Sequence, residues 1–176
     1  GGNDNAINGL TNVVGGGEIN SITGSHGTVG GGRNNRITNS AQFSTIAGGV
    51  NNTVSADYGT ASGNSNTIST AGTYGVSLGN ANQVSATYGV AIGNTNQVTG
   101  SHGVAIGYNN TAAANAMAIG TSTTAINDEY SATYSAGFLF TSQGTNHGSH
   151  VADFVNTSSN GSGVRIKVNS CETDGP

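Results

Sequence analysis

Side chains able to do chemistry are few in this sequence, and their spacing assembles little. His147 and His150 stand three apart, with Asp153 three further on, a spacing that suits imidazole and carboxylate ligands of a transition metal. Around a threefold axis such a set would be repeated by every copy of the chain. The surrounding TNHGSH run reads as a loop, however, with nothing to aim the two rings at one another. Calcium bound by glycine-rich repeats needs acidic oxygens at a fixed beat. Asp4, Asp57, Asp128, Asp153 and Asp174 do not recur at one. The triple glycines at 15–17 and 30–32 lack the Gly-Lys-Ser/Thr ending and the following helix of a phosphate loop. Glu18, Glu129 and Glu172 are too scattered to suggest paired carboxylates, and no Cys–His or Ser–His–acid set stands out. The sequence predicts no catalysis, no cofactor and no resident metal.

The bulk composition narrows the partners. Lys and Arg together number 4 in 176 residues, so no basic stripe exists to neutralise a nucleic-acid backbone. No apolar run approaches the roughly 20 residues that span a bilayer, so this segment is not expected to insert into a membrane. Cys171 is single and is expected to be a free thiol. Asn51, Asn109, Asn156 and Asn160 begin Asn-x-Ser/Thr sequons, as chance supplies in a chain this rich in Asn, Ser and Thr. The chain starts at Gly1 in mid-pattern, as expected for a piece of something longer. With 30 glycines and 7 % charged residues it would pass for disordered, except that Val, Ile and Thr recur throughout.

That recurrence is a repeat. YGVSLGNANQVSA begins at Tyr74, YGVAIGNTNQVTGS at Tyr88, HGVAIGYNNTAAA at His102, and a degenerate NAMAIGTSTTAI at Asn115. Upstream copies begin at Thr11, His26, Phe43 and Tyr58, so the starts are 15, 17, 15, 16, 14, 14 and 13 residues apart. In each copy two apolar residues flank a small one, as in Val76-Ser77-Leu78, Val90-Ala91-Ile92 and Val104-Ala105-Ile106, with Ile119 in the last. Residues two apart share one face of a strand. The larger pair is therefore expected inside, and Ser77, Ala91, Ala105 and Ala118 outside, where small residues would let neighbouring chains approach.

Gly79, Gly93, Gly107 and Gly120 follow, where a sharp turn needs a positive φ. Next come paired asparagines such as Asn80/Asn82 and Asn94/Asn96, and a second short strand carrying one apolar residue, such as Val84 or Val98. Two short strands and two turns per roughly 14 residues make one coil of a narrow all-β parallel solenoid, or β-roll. Stacked coils place each position in a column, so the asparagines can bond from coil to coil. His26, Phe43, Tyr58, Tyr74, Tyr88 and His102 form a partly aromatic column, expected to pack a corner rather than to face a ligand. So thin a core implies a homo-oligomer with cyclic symmetry.

The strings GVAIGNTNQV, GVAIGYNNTA and AMAIGTSTTA resemble the head repeats of YadA-like trimeric autotransporter adhesins. That resemblance covers about Gly9 to Ile126. It implies a left-handed roll, a homotrimer and surface attachment.

After Ile126 no heptad pattern follows. From Asp128 the beat stops, and residues 127–176 are expected to form a small β module after the 1–126 roll. Its strands would centre on Phe138–Phe140, Val151–Val155 and the alternating Val164, Ile166 and Val168, with Arg165 and Lys167 on a solvated face. The run ADFVNTSSNGSGVRIKV is similar to segments of bacteriophage tail fibres and appendages. The function expected is a structural, adhesive fibre segment at a virion surface, with a host cell-surface glycan or protein as partner. A bacterial adhesin head on the outer surface is the alternative. A polysaccharide depolymerase is less favoured because the carboxylates are scattered, and an ice-binding solenoid because the Thr column at Thr45 and Thr60 gives way to Val76, Val90 and Val104.

Overall fold

The computed structural model describes residues 2–128 and 130–133. These form a parallel β-solenoid in which every coil contributes two strands, a two-residue one and one that is longer from Thr45–Val50 onward. Each kind stacks into its own nine-stranded sheet, the short-strand and the long-strand sheet. The short-strand sheet runs from Ala6–Ile7 through Arg36–Ile37, Gln83–Val84 and Gln97–Val98 to Thr124–Ala125. The long-strand sheet begins with Val13–Val14 and Thr28–Val29, widens to five or six residues from Thr45–Val50 to Met117–Thr121, and ends at the four-residue Tyr130–Thr133. Sequential coils pair in register, Val76 on Val90 on Val104 on Met117 on Tyr130. Tyr130–Thr133 thus carries the sheet past Ile126. The rest of the expected C-terminal module, with His147, His150, Asp153 and Cys171, lies outside the described residues.

The side chains inside the roll are not those the alternation was expected to bury. Ala91, Ala105 and Ala118 are fully enclosed, as is Ser77. Val76, Leu78, Val90, Val104, Ile106 and Ile119 are only partly covered, and Ile92 is 37 % exposed. Val84 and Val98, on the short strands, are fully buried. A period of two assigns residues to opposite faces without saying which face is inward. Width decides it here. The valines of the short strands and a column of asparagines already fill the cross-section, leaving space opposite for Ala or Ser.

That asparagine column is the second member of each pair. Asn20, Asn35, Asn52, Asn66, Asn82, Asn96 and Asn110 are all 0 % exposed. Each side-chain oxygen accepts the backbone N–H of the equivalent residue one coil on: Asn82 from Asn96 at 2.9 Å, Asn96 from Asn110 at 3.0 Å, and Asn110 from Thr123 at 2.8 Å. The Nδ2 of Asn96 donates to the Ile92 carbonyl in its own coil and to the Gly107 carbonyl in the next, at 2.9 and 2.8 Å. Because the oxygen must face a backbone donor, the amide orientation is fixed by the network. Among the described residues no buried side-chain N or O lacks a partner.

The first asparagines behave differently. Asn64 and Asn80 are exposed, and the outer amides donate from Asn64 to Asn80 at 2.7 Å and from Asn80 to Asn94 at 3.0 Å. Between the two asparagines sits a residue in the left-handed region, Ala81 (φ 53°) or Thr95 (φ 57°). Gly79, Gly93, Gly107 and Gly120 lie just before the end of the long strands at φ of 118° to 121°. At Gly93 a Cβ would also come within 2.1 Å of the Gly107 carbonyl oxygen, so both conformation and clearance require glycine.

In the three N-terminal coils an extra glycine enters the long-strand region, at Gly16, Gly31 and Gly48, each supplying the carbonyl that Asn20, Asn35 or Asn52 binds. The register between Thr45–Val50 and Thr60–Asn64 shifts across Gly48 accordingly. These coils hold Val14, Val29 and Ile46 at the position later taken by Ala61, Ser77, Ala91, Ala105 and Ala118. A longer perimeter encloses a larger side chain.

Asn96→Ala would leave the buried Asn110 N–H without its acceptor and take one donor from each of the Ile92 and Gly107 carbonyls. At about 1–3 kcal/mol for an unsatisfied buried group, it is expected to cost more than about 1 kcal/mol. Asn94→Ala, on the outer ladder, is expected to cost less than about 1 kcal/mol. Urea unfolding of the two variants beside the parent chain compares them.

Candidate functional site

Two features of the roll's surface are built by the whole stack. The first is the aromatic corner. His26, Phe43, Tyr58, Tyr74, Tyr88 and His102 stack face to face, with successive ring centroids 4.5, 5.3, 4.7, 5.0 and 4.9 Å apart and interplanar angles of 3° to 17°. Their backbones share the left-handed conformation at φ of 54° to 59°. That conformation costs an L-residue about 1–2 kcal/mol. It turns each N–H back to the preceding coil, Tyr74 to the Asp57 carbonyl, Tyr88 to Thr73 and His102 to Thr87, at 2.9 to 3.1 Å. The column continues as Asn115 and Asp128, whose side chains are joined by a 2.9 Å hydrogen bond. Every ring face between His26 and His102 is taken by a neighbouring ring, which leaves the ring edges and the two ends of the column to solvent. A strip that recognises sugars by stacking needs open faces, so this geometry favours corner packing.

The second feature is the outer face of the long-strand sheet. One outward column reads Val13, Thr28, Thr45, Thr60, Val76, Val90, Val104, Met117 and Tyr130 in paired register. The second reads Ser62, Leu78, Ile92, Ile106, Ile119 and Ala132. From Val76 to Ile119 both columns are apolar without interruption, which makes one straight apolar face on four consecutive coils. Exposed apolar surface of this continuity marks an interaction site. A parallel sheet is also ordinarily covered on both faces. The threonines stop at Thr60, so no flat threonine array runs the length of the roll.

The expected core residues Val76, Leu78, Val90, Ile92, Val104, Ile106 and Ile119 are therefore brought together on the outside. Alternation supplied the membership of this face, and the sidedness needed the coil's width. The left-handed non-glycine corners carried no sequence signal beyond their column position.

The described residues contain no cavity, and no three His, Cys, Asp or Glu side chains among them converge. Arg33 and Arg36 flank one exposed corner and are the Lys and Arg residues of the described region. No protein-family model matches the sequence, and no curated protein is recognisably similar to it.

Tyr74→Ala removes two ring contacts, each worth about 0.5–1.5 kcal/mol, and leaves a Cβ in the left-handed region. Tyr74→Gly removes the same contacts and relieves about 1 kcal/mol of backbone strain. The glycine variant is expected to be the more stable of the two, by midpoint of thermal unfolding. The reverse order would show that the corner is not held in this conformation.

Proposed function

We propose that this chain is a structural and adhesive fibre segment without catalytic activity, in which three copies stand side by side with their long-strand sheets facing a common axis. The observation that carries the reading is the distribution of apolar mass. The coils of Ser77, Ala91, Ala105 and Ala118 are thin inside and carry Val, Leu, Ile and Met outside. Covering that outer face would return about 25 cal/mol for each Å² of apolar surface removed from water. A partner with the same axial repeat matches every column at once, and a second copy of this chain has that repeat by construction. The choice of three copies rests on the resemblance of the GVAIG strings to trimeric adhesin heads.

Such a bundle is a stiff rod made of hydrogen-bonded coils, suited to hold a receptor-binding part away from the body that carries it. Threefold copies turn weak single contacts into avidity. We place the fibre on a virion, as part of a tail fibre or similar extracellular appendage that engages a host cell-surface glycan or protein. The tail's similarity to phage appendage segments supports that placement. The same bundle would serve a bacterial outer-surface adhesin, and binding assays on phage-susceptible cells against receptor-bearing surfaces of another host would separate the two.

Light scattering on a sizing column is expected to give the mass of three chains. Val104→Asp together with Ile92→Asp would place carboxylates in the contact at a cost of several kcal/mol, about 3–5 for each uncompensated buried charge, and is expected to yield single chains. A parent chain that runs as a folded monomer would remove the fibre reading.

A further inference from the structure

The outer face of the long-strand sheet changes character along the roll, and the change coincides with the inserted glycines. In the coils carrying Gly16, Gly31 and Gly48 the inward position holds Val14, Val29 and Ile46, and the outward positions hold Val13, Thr28 and Thr45 with Gly15, Gly30 and Ala47. In the four coils from Val76 to Ile119, without the insertion, the inward position is Ser or Ala and both outward positions are large and apolar. The Thr60-Ala61-Ser62 coil between them is small on both sides. The Thr28 and Thr45 coils thus have their large apolar side chain inside and the four coils from Val76 to Ile119 have theirs outside, while the Val13–Val14 coil carries one valine on each side. Val29 and Ile46 are fully buried within their own chain and need no partner.

Resting on the fibre reading above, we infer that the contact between copies is confined to the coils from Val76 onward, and that the glycine-inserted coils are filled by their own side chains and keep a wetted face inside the assembly. The inserted glycine sets the sidedness. By lengthening the coil it admits Val or Ile to the interior, and the outward positions are then free to be Thr, Ala or Gly. Coils without it close around Ala and put their Val and Ile on the face that a second copy must cover. The partner surface is one half of the roll, and the assembly is dry there and hydrated toward Gly2.

The test uses the full chain with Cys171→Ser and single cysteines at Thr28, Thr45, Val90 or Val104, labelled by a soluble thiol reagent under native conditions. Thr28→Cys and Thr45→Cys are expected to react like the exposed corner control Ser101→Cys. Val90→Cys and Val104→Cys are expected to react more than about tenfold more slowly, because labelling requires the contact to open. If Val90→Cys does not fold, Met117→Cys in the same column takes its place. Equal protection at Thr45 and Val104 in a three-chain assembly would overturn the inference and leave the fibre reading standing. Free labelling at all four positions in such an assembly would also overturn it, by placing the contact on another face. A single-chain mass would remove the fibre reading and the inference together.

Discussion

A buried amide in each turn fixes the vertical order of this roll. The oxygen of Asn82 faces the N–H of Asn96, the oxygen of Asn96 faces that of Asn110, and the chain between them has no freedom to slip. A slip of one residue would turn the asparagine outward and leave several buried groups unpaired, a larger penalty than any single apolar contact in so thin a core could offset. This constraint also explains how coil length can vary. Successive buried asparagines from Asn20 to Asn110 are 15, 17, 14, 16, 14 and 14 residues apart, yet all seven lie in one column. The extra residues go to the inserted glycines and to the corner around Asn39 or Thr70, where the backbone can bulge without disturbing the ladder.

The two corners of each coil solve a different difficulty. A coil this short must reverse direction twice, and it does so through one left-handed residue at each corner, often Tyr, Thr, Asn or Ser in place of glycine. Each such residue is strained alone. Its N–H is delivered to the coil before, while the neighbouring strand N–H groups reach the coil after, so successive coils are bonded in both axial directions. At one corner the stacked rings add to this, because the conformation that turns the chain also projects each ring along the same line as its neighbour's. Strain, hydrogen bond and stacking are consequences of one backbone conformation repeated at the coil spacing.

Much of this was legible in the sequence because a repeat converts local preference into a column. The two strands per coil, the glycine before each corner and the coil-to-coil asparagines all follow from the strings at Tyr74, Tyr88 and His102. The identity of the buried asparagine did not: Asn94 and Asn96 are alike in type and differ only in which side of Thr95 they fall. The sidedness of Val90, Ala91 and Ile92 was hidden for a similar reason. Apolar residues on one strand face normally point to a core, and nothing in GVAIG says that the coil is too narrow to take them. The signal that bears on it is the glycine count. GGG at 30–32 against a single Gly93 reports a coil one residue longer in its long-strand region, and hence the larger residue it encloses.

Width, then, links the ladder to the outer face of the sheet. The asparagine spans from its own coil to the next and must reach the Ile92 and Gly107 carbonyls together, which holds the two sheets close on that side. With the sheets so near, one Val from the short strand and one Ala from the long strand fill the space. A coil so built buries too little apolar surface to offset the ordering of some 14 residues at about 1–2 kcal/mol each, before hydrogen bonding is counted. The missing burial is present in the same coil, on the far side of the same sheet, as Val90 and Ile92 or Val104 and Ile106. A narrow coil of this design therefore divides its apolar side chains between a thin interior and the outer face of its own long strand.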